Sequence, residues 1–383
     1  MRHHTFFTLA LLAFTLGPRV AHADEPPRPA VDPPKPEPLL VVERRPTIDP
    51  PEGSAGPATT AGTTGLHVQL GLEAFVGYGL RVSPTAAGTE LFHSFELPRA
   101  HVSVAGIYGP VVARVVLEAV RSASEGALLG VAGDSFVMRL REASAGYRLG
   151  RWLSIEAGVV PTLTIPELDG SFNLRVVAAS PSESTGLASP ADLGATARFH
   201  LPRGYGFIAV GAYNGEGYQG RELNRGKNIE AAFEIHPFAS TRARPLAVFA
   251  SYVNGSSGTG LAMANRLTAA VLWQGRRLRA GADFVHAWGV SDNGRLRSWL
   301  IDGFLRLEPI DKLLFGARAF AWMRDAATVE DRVVEVTGAA GYRIADPLEA
   351  FVSVSRTLPG EVARTALPGI DRWDVRVLAR VVF

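Results

Sequence analysis

The sequence predicts an all-β fold: a transmembrane antiparallel β-barrel of about 16 strands, preceded by a signal peptide and a proline-rich linker. Three observations predict it. Stretches of about ten residues alternate strictly in polarity, as β-strands with two different surroundings do. Tryptophans gather at strand ends: Trp152, Trp273, Trp288, Trp322 and Trp373, with Trp299 close to one. Aromatic residues at strand ends build the interfacial girdles of membrane barrels. Tight and long connections also alternate along the chain, as they must when every second connection lies on the same side of a membrane.

Residues 1–23 combine a charged start, the apolar run FFTLALLAFTL at Phe6–Leu16, and Ala21-His22-Ala23. That pattern predicts a Sec-type signal peptide, because the run is too short to span a bilayer core of about 30 Å. Residues 24–65 are rich in Pro, then Gly and Thr, and predict a periplasmic spacer. A short apolar patch, Leu39 to Val42, interrupts it.

The barrel occupies 66–383. Its strands are predicted at 66–80, 90–106, 111–122, 135–149, 152–161, 191–201, 205–214 and 227–237, then at 245–254, 263–274, 277–289, 295–308, 312–323, 331–344, 348–356 and 371–383. In the first, Val68, Leu70, Leu72, Ala74, Val76 and Tyr78 share an apolar face, while Gln69 and Glu73 share the other. In the last, WDVRVLARVVF, apolar residues from Trp373 to Phe383 alternate with Asp374, Arg376 and Arg380. Tight connections fall at Gly109-Pro110, Gly150-Arg151, 202–204, 275–276, 308–311 and Asp346-Pro347, with one looser case at His236 to Pro245, and long ones at 123–134, 162–190, 215–226, 324–330 and 357–370. A closed barrel also pairs every backbone group at membrane depth, which an open sheet does not.

Composition removes several classes of function. The chain has 383 residues and no cysteine, so no disulfide or thiolate chemistry is expected. The net charge is +2, and subtracting Arg2 and Arg19 of the signal peptide leaves a mature chain near zero. No nucleic-acid partner is expected on that ground. None of the nine histidines stands in H-E-x-x-H, and G-x-S-x-G is absent. No cofactor, metal site or enzymatic activity is expected. Gly215 to Gly220 matches G-x-G-x-x-G, but polar residues and another strand follow it, so it reads as a loop rather than a phosphate cradle.

Particular phrases carry a resemblance. FELPRAHVSVAGIYG (95–109), LREASAGYRLGRWLSIEAGVVP (140–161) and the stretch 192–238, with Asn214-Gly215-Glu216-Gly217, Asn224 and Lys227, resemble the phosphate-selective porin O/P-like family of bacterial outer-membrane porins. The resemblance implies a sixteen-stranded anion-preferring channel, commonly a homotrimer. Members of that family line the channel with lysine, whereas this chain has only Lys35, Lys227 and Lys312. In large porins the third external loop often folds inward, which would make Asp169 and Arg175 of 162–190 constriction residues; the alternative is a loop lying at the surface. The candidate lining and anion-contact arginines are Arg175, Arg198, Arg266, Arg318, Arg376 and Arg380. Arginine matches carboxylate and phosphate with a two-pronged fork.

The expected function is passive diffusion of small hydrophilic solutes, weakly favouring anions, across the bacterial outer membrane with both termini periplasmic. The rival expectations are an occluded structural or surface-interaction barrel and a barrel enzyme. Expected partners are outer-membrane lipid, small anionic or polar solutes, and the outer-membrane assembly machinery through the C-terminal strand ending in Phe383.

Overall fold

The computed structural model describes residues 65–85, 88–121, 136–220, 222 and 224–383. The signal-peptide reading of 1–23, nearly all of the linker reading of 24–65 and the connection 123–134 lie outside the described residues. The first half of the chain runs through β1 (His67–Thr85), β2 (Gly88–Tyr108), β3 (Val111–Arg121), β4 (Phe136–Leu149), β5 (Leu153–Pro161), β6 (Ala191–His200), β7 (Gly206–Tyr213), β8 (Asn228–Ile235) and β9 (Leu246–Asn254). Two-residue strands β10 (Ser256–Ser257) and β11 (Ala262–Met263) pair only with each other. Then come β12 (Asn265–Gln274), β13 (Leu278–Val290), β14 (Asn293–Ile310), β15 (Leu313–Met323), β16 (Arg332–Ala345), β17 (Leu348–Pro359) and β18 (Arg372–Val382).

Sixteen of these strands close into one antiparallel barrel, each beside its chain neighbour, with β18 returning to β1. The predicted strands correspond to them one for one. The closing seam runs from Val82 opposite Trp373 to Glu73 opposite Val382. The terminal residue extends it, since Phe383 N–H donates to Leu72 O at 2.9 Å and Leu72 N–H to Phe383 O at 3.0 Å. Phe383 is therefore part of the ladder that removes the last free edge.

The barrel has a turn end, which carries Phe383, and a loop end. At the loop end β13 and β14 join through Ser291-Asp292, both at positive φ (51° and 59°), as a tight two-residue hairpin requires. The loop 162–190 is not irregular throughout. It contains α1 (Ile165–Phe172) and the short α2 (Pro181–Ser184), and α3 (Glu361–Ala366) lies between β17 and β18. Pro166 stands in the first turn of α1. Ile165, Leu168 and Phe172 recur at helical spacing on one buried face. Asn173 ends the helix in the left-handed conformation, its N–H bonding Asp169 O at 2.8 Å. No helix among the described residues is long and apolar enough to cross a membrane.

The outward face is apolar. Val68, Leu70, Val104, Ile208, Val271, Ile301, Val352 and Val377 are all exposed, and Phe95 is 83% exposed. A continuous band of this kind belongs against lipid rather than water. Trp152 and Trp373 stand exposed at opposite ends of the band. Trp322 does not belong to the predicted girdle: it points into the barrel, where its Nε1–H donates to Ser298 Oγ at 2.9 Å. The main apolar core also lies inside the barrel. Leu168, Phe172, Leu174 and Val177 of the 162–190 loop pack against inward-facing Phe75, Phe249, Leu272, Phe304, Leu314, Phe351 and Leu378.

Candidate functional site

The 162–190 segment is a plug seated in the barrel. Its ends leave the wall together, since Pro161 pairs with Ala191 and Thr162 N–H donates to Pro190 O at 3.2 Å. Glu230, inward on β8, grips the first turn. It accepts Leu163 N–H at 2.9 Å and Thr164 Oγ1–H at 2.6 Å. Asp169 accepts Ser180 N–H at 2.8 Å and pairs with Arg175, which also pairs with Glu183, so the plug is braced internally.

The wall arginines hold this plug. Arg198 donates to Glu167 at 3.0 Å and lies 4.0 Å from the Phe207 ring centre. Arg266 Nε–H donates to Leu187 O at 2.9 Å. Arg376 donates to Val177 O at 2.9 Å, and Arg279 to Gly170 O at 2.9 Å on the last turn of α1. Arg318 donates to Ala179 O at 3.1 Å while clasping Asp302 at 2.6 to 3.1 Å. Arg380 does not reach the plug. It ties the seam, donating to Glu73 of β1 at 3.1 Å and Glu349 of β17 at 3.1 Å. The six candidate arginines are thus brought to one lumen, with four of them donating to the plug and Arg175 inside it.

The apolar clusters that hold the plug draw on β1, β7–β9 and β12–β18, Leu187 packing with Val285, Ala287 and Val290 of β13, and include no residue of β2–β6. On the β2–β6 side most inward residues are small or polar, with buried Val112, Val116 and Val160 standing among them. Ser103, Arg114, Ser144, Ser154, Thr196 and Arg198 are only half-buried, so water reaches that wall. The lumen is therefore a slit between the charged edge of the plug and β2–β6.

A cluster at the loop end of this slit had no prominence in the sequence. Glu118 on β3 accepts Arg139 at 2.8 Å, His101 at 3.1 Å and the Tyr218 hydroxyl at 2.8 Å, with Arg141 at 3.4 Å. Arg99 lies between Glu118 at 3.6 Å and the plug's Glu183 at 3.8 Å. Arg139, Arg141 and Glu142 all reach the lumen because the β3–β4 register shifts between Val116 and Leu117. The extra residue turns the alternation over, so Leu140 faces lipid above it and Ala143 below. That inversion is visible in FVMRLREASAGY, where apolar parity changes after Leu140. Tyr218 arrives from the G-x-G-x-x-G loop, which is pinned by Asp192 accepting Gly215 N–H at 2.8 Å and Gly217 N–H at 3.3 Å. Among the described residues no helix follows Gly220 before β8.

Burial alone would push the Glu183 carboxyl up, but its hydrogen bond with Arg175 and the charges of Arg175, Arg141 and Arg99 hold it below its ordinary value of 4.5. A depressed carboxyl contributes stability above its unfolded value and loses it as pH falls through the folded one. The Arg175–Glu183 tie is therefore complete at neutral pH and weakens below about 4.5. Wild-type heat resistance, read as the folded band on a semi-native gel, should fall more steeply with acidification than that of Glu183→Gln. Identical pH curves for the two proteins would refute this.

No protein-family model matches the chain, and no curated protein matches it in sequence. The resemblance of phrases in 95–238 to the phosphate-selective family thus stands without a family match. Solved structures do share the architecture. The anion-selective porin from Comamonas acidovorans has a TM-score of 0.60 at 11% identity, covering 83% of this chain and 100% of that one. OmpF of Salmonella typhi, in complex with daunomycin, has a TM-score of 0.62 at 12% identity, covering 82% and 97%. The outer-membrane channel DcaP of Acinetobacter baumannii has a TM-score of 0.54 at 12% identity, covering 85% and 100%. At these identities the likeness is one of fold: this chain forms a closed sixteen-stranded transmembrane β-barrel, the architecture on which those channels are built.

Proposed function

We propose that the protein is a bacterial outer-membrane porin through which small hydrophilic solutes diffuse passively. The observation that carries this reading is the water-reached strip of Ser103, Arg114, Ser144, Ser154 and Thr196 beside an otherwise filled lumen. A barrel of sixteen to eighteen strands is wide enough to leave an aqueous channel. Solutes pass along the slit, and no residue performs bond chemistry. Arg99, Arg139 and Arg141 at its loop end favour weak anion preference, for phosphate or other anions, because guanidinium groups at a constriction lower the barrier to negative charge. Glu118 and Glu142 oppose them, which keeps the preference weak. A homotrimer, periplasmic termini behind a cleaved signal peptide, and recognition of the closing strand by the assembly machinery belong to the same reading.

Purified protein in a planar bilayer should give discrete conductance steps, and a KCl gradient should give a reversal potential of anion sign. A silent bilayer would sink the porin reading, and a cationic reversal potential would sink the preference alone. The second reading, an occluded barrel, is favoured by the density of the plug, where Leu168, Phe249, Leu272 and Leu314 are fully buried. The same recording decides between the two.

A further inference from the structure

Parity fixes which residues of β13 and β14 face the bilayer. Asp283, Val285 and Ala287 are buried and point inward, so Phe284, His286 and Trp288 point out. Leu296, Leu300 and Phe304 pack inside, so Arg295, Arg297, Trp299 and Ile301 point out. The register sets His286 opposite Trp299 and Trp288 opposite Arg297. The row continues across β15, where Met323 stands between Trp299 and Arg332 of β16. The loop-end rim of the band therefore carries an aromatic shelf bordered by arginine. The His286 and Trp288 rings lie 4.3 Å apart, edge to face. Leu267, Phe284 and Ile301, on the same outward face, are exposed and apolar.

Arg295, Arg297 and Arg332 are exposed, and among the described residues none of their guanidinium groups has an ion pair or hydrogen bond. The acids of the adjoining loop are engaged elsewhere. Asp325 accepts Ala327 N–H at 3.0 Å and the Thr328 hydroxyl at 3.4 Å, Asp331 pairs with Arg324 at 3.0 Å, and Glu330 accepts Glu361 N–H at 3.3 Å. The inner wall differs, since Arg318, Arg343 and Arg380 each clasp a carboxylate there. Tryptophan at the edge of an apolar band marks the level of the headgroups. Basic side chains at that level attract anionic lipid, and a guanidinium fork matches a phosphate with two parallel bonds. Arg297 and Arg332 stand two strands apart, about 10 Å across the sheet, so one phosphate fits between their long side chains.

We propose that this patch binds a phosphorylated lipid of the leaflet that meets the loop end. The headgroup phosphate lies between Arg297 and Arg332, with Arg295 nearer the loop, and the acyl chains lie along Trp299, Phe284 and Ile301. A soluble anion would use the arginines alone. The aromatic shelf, continuous with the apolar band, is the part that only a lipid uses. The inference rests on the transmembrane barrel and not on solute diffusion.

The test places the full folded chain in phosphatidylcholine bilayers and reads tryptophan quenching by a brominated lipid. Brominated phosphatidic acid is compared with brominated phosphatidylcholine at the same mole fraction. Wild type should favour phosphatidic acid about 25-fold, about fivefold for each of Arg297 and Arg332. Arg297→Gln and Arg332→Gln should each lose about fivefold, and the double variant should approach parity. Heat-dependent gel migration checks that each variant folds; should the double variant fail, the two single variants decide. Equal quenching by the two lipids in wild type, or a folded double variant that keeps the preference, would overturn the proposal. Loss of the preference on adding inorganic phosphate at constant ionic strength would also overturn it, by making the patch a site for a soluble anion. So would a change of oligomeric size in the folded double variant, which would make the patch a contact between copies. Quenching needs no conduction, so a bilayer silent to current leaves this result standing by itself.

Discussion

Replacing Arg318 by leucine is expected to destabilise the folded barrel by about 3–5 kcal/mol, the usual cost of stranding one half of a buried ion pair. Asp302 is fully buried and takes three guanidinium contacts at 2.6, 3.0 and 3.1 Å. Asp283, also buried, faces Asp302 directly across the β13–β14 pair. Arg318 therefore offsets two acidic groups that would otherwise confront each other away from water. It also spans two structures at once. Its remaining N–H holds Ala179 O of the plug, and its guanidinium lies 5.0 Å from the Phe172 ring centre and 5.8 Å from that of Phe304.

The loss should appear as a lower temperature at which the compact band disappears on a semi-native gel. The double variant Arg318→Leu with Asp302→Asn should recover most of it, because the main penalty is the stranded charge and not the missing contact. Wild-type heat resistance in Arg318→Leu would mean that water reaches Asp302 after all.

The alternation of polarity made the barrel legible because lipid and lumen impose opposite demands on successive side chains. It carried strand number and order, down to the seam at Phe383. What it hid was the content of the lumen. A water-filled barrel should show polar inward faces throughout, yet Phe249, Leu272, Phe304, Leu314, Phe351 and Leu378 all point inward. These residues make short stretches such as Val271-Leu272-Trp273 and Leu313-Leu314-Phe315 apolar on both faces. Strands buried on both sides read in that way, so those stretches were the signal of an apolar plug. The inward course of 162–190 was open to expectation only from its place as the third external loop, and its helix of eight residues is shorter than periodicity can distinguish from a loop.

The candidate site was legible as residue type and face, and not as role. Arg198, Arg266, Arg318 and Arg376 were placed on the lumen by parity, and they are there. Nothing in spacing tells an arginine that meets solute from one that meets a carbonyl of the same chain. The loop-end cluster was missed for a different reason. A single extra residue at the β3–β4 register shift reverses every face assignment beyond it, and Tyr218 comes from a loop one hundred residues away from Glu118.

Excising the plug is expected to have the largest effect on conduction. Because Thr162 and Pro190 are already hydrogen-bonded neighbours at 3.2 Å, residues 163–189 can be replaced by Asn-Gly without moving β5 or β6. The barrel ladder should survive, since each of the sixteen strands keeps both of its partners. Heat resistance should fall, because inward Phe249, Leu272, Phe304 and Leu314 each give up burial worth about 1.5–3 kcal/mol at most. Single-channel conductance should rise several-fold, as the narrowest section sets the resistance of a pore. Selectivity should shift as well. The excised segment carries Glu167, Asp169 and Glu183 against Arg175, so the lumen gains two units of positive charge, three acids less one arginine. It also frees Arg198, Arg266, Arg318 and Arg376 from their plug acceptors, and the reversal potential should move further toward anions. A folded variant whose conductance matches wild type would show that the plug does not bound the conducting path, and the slit between it and β2–β6 would lose its meaning as a channel.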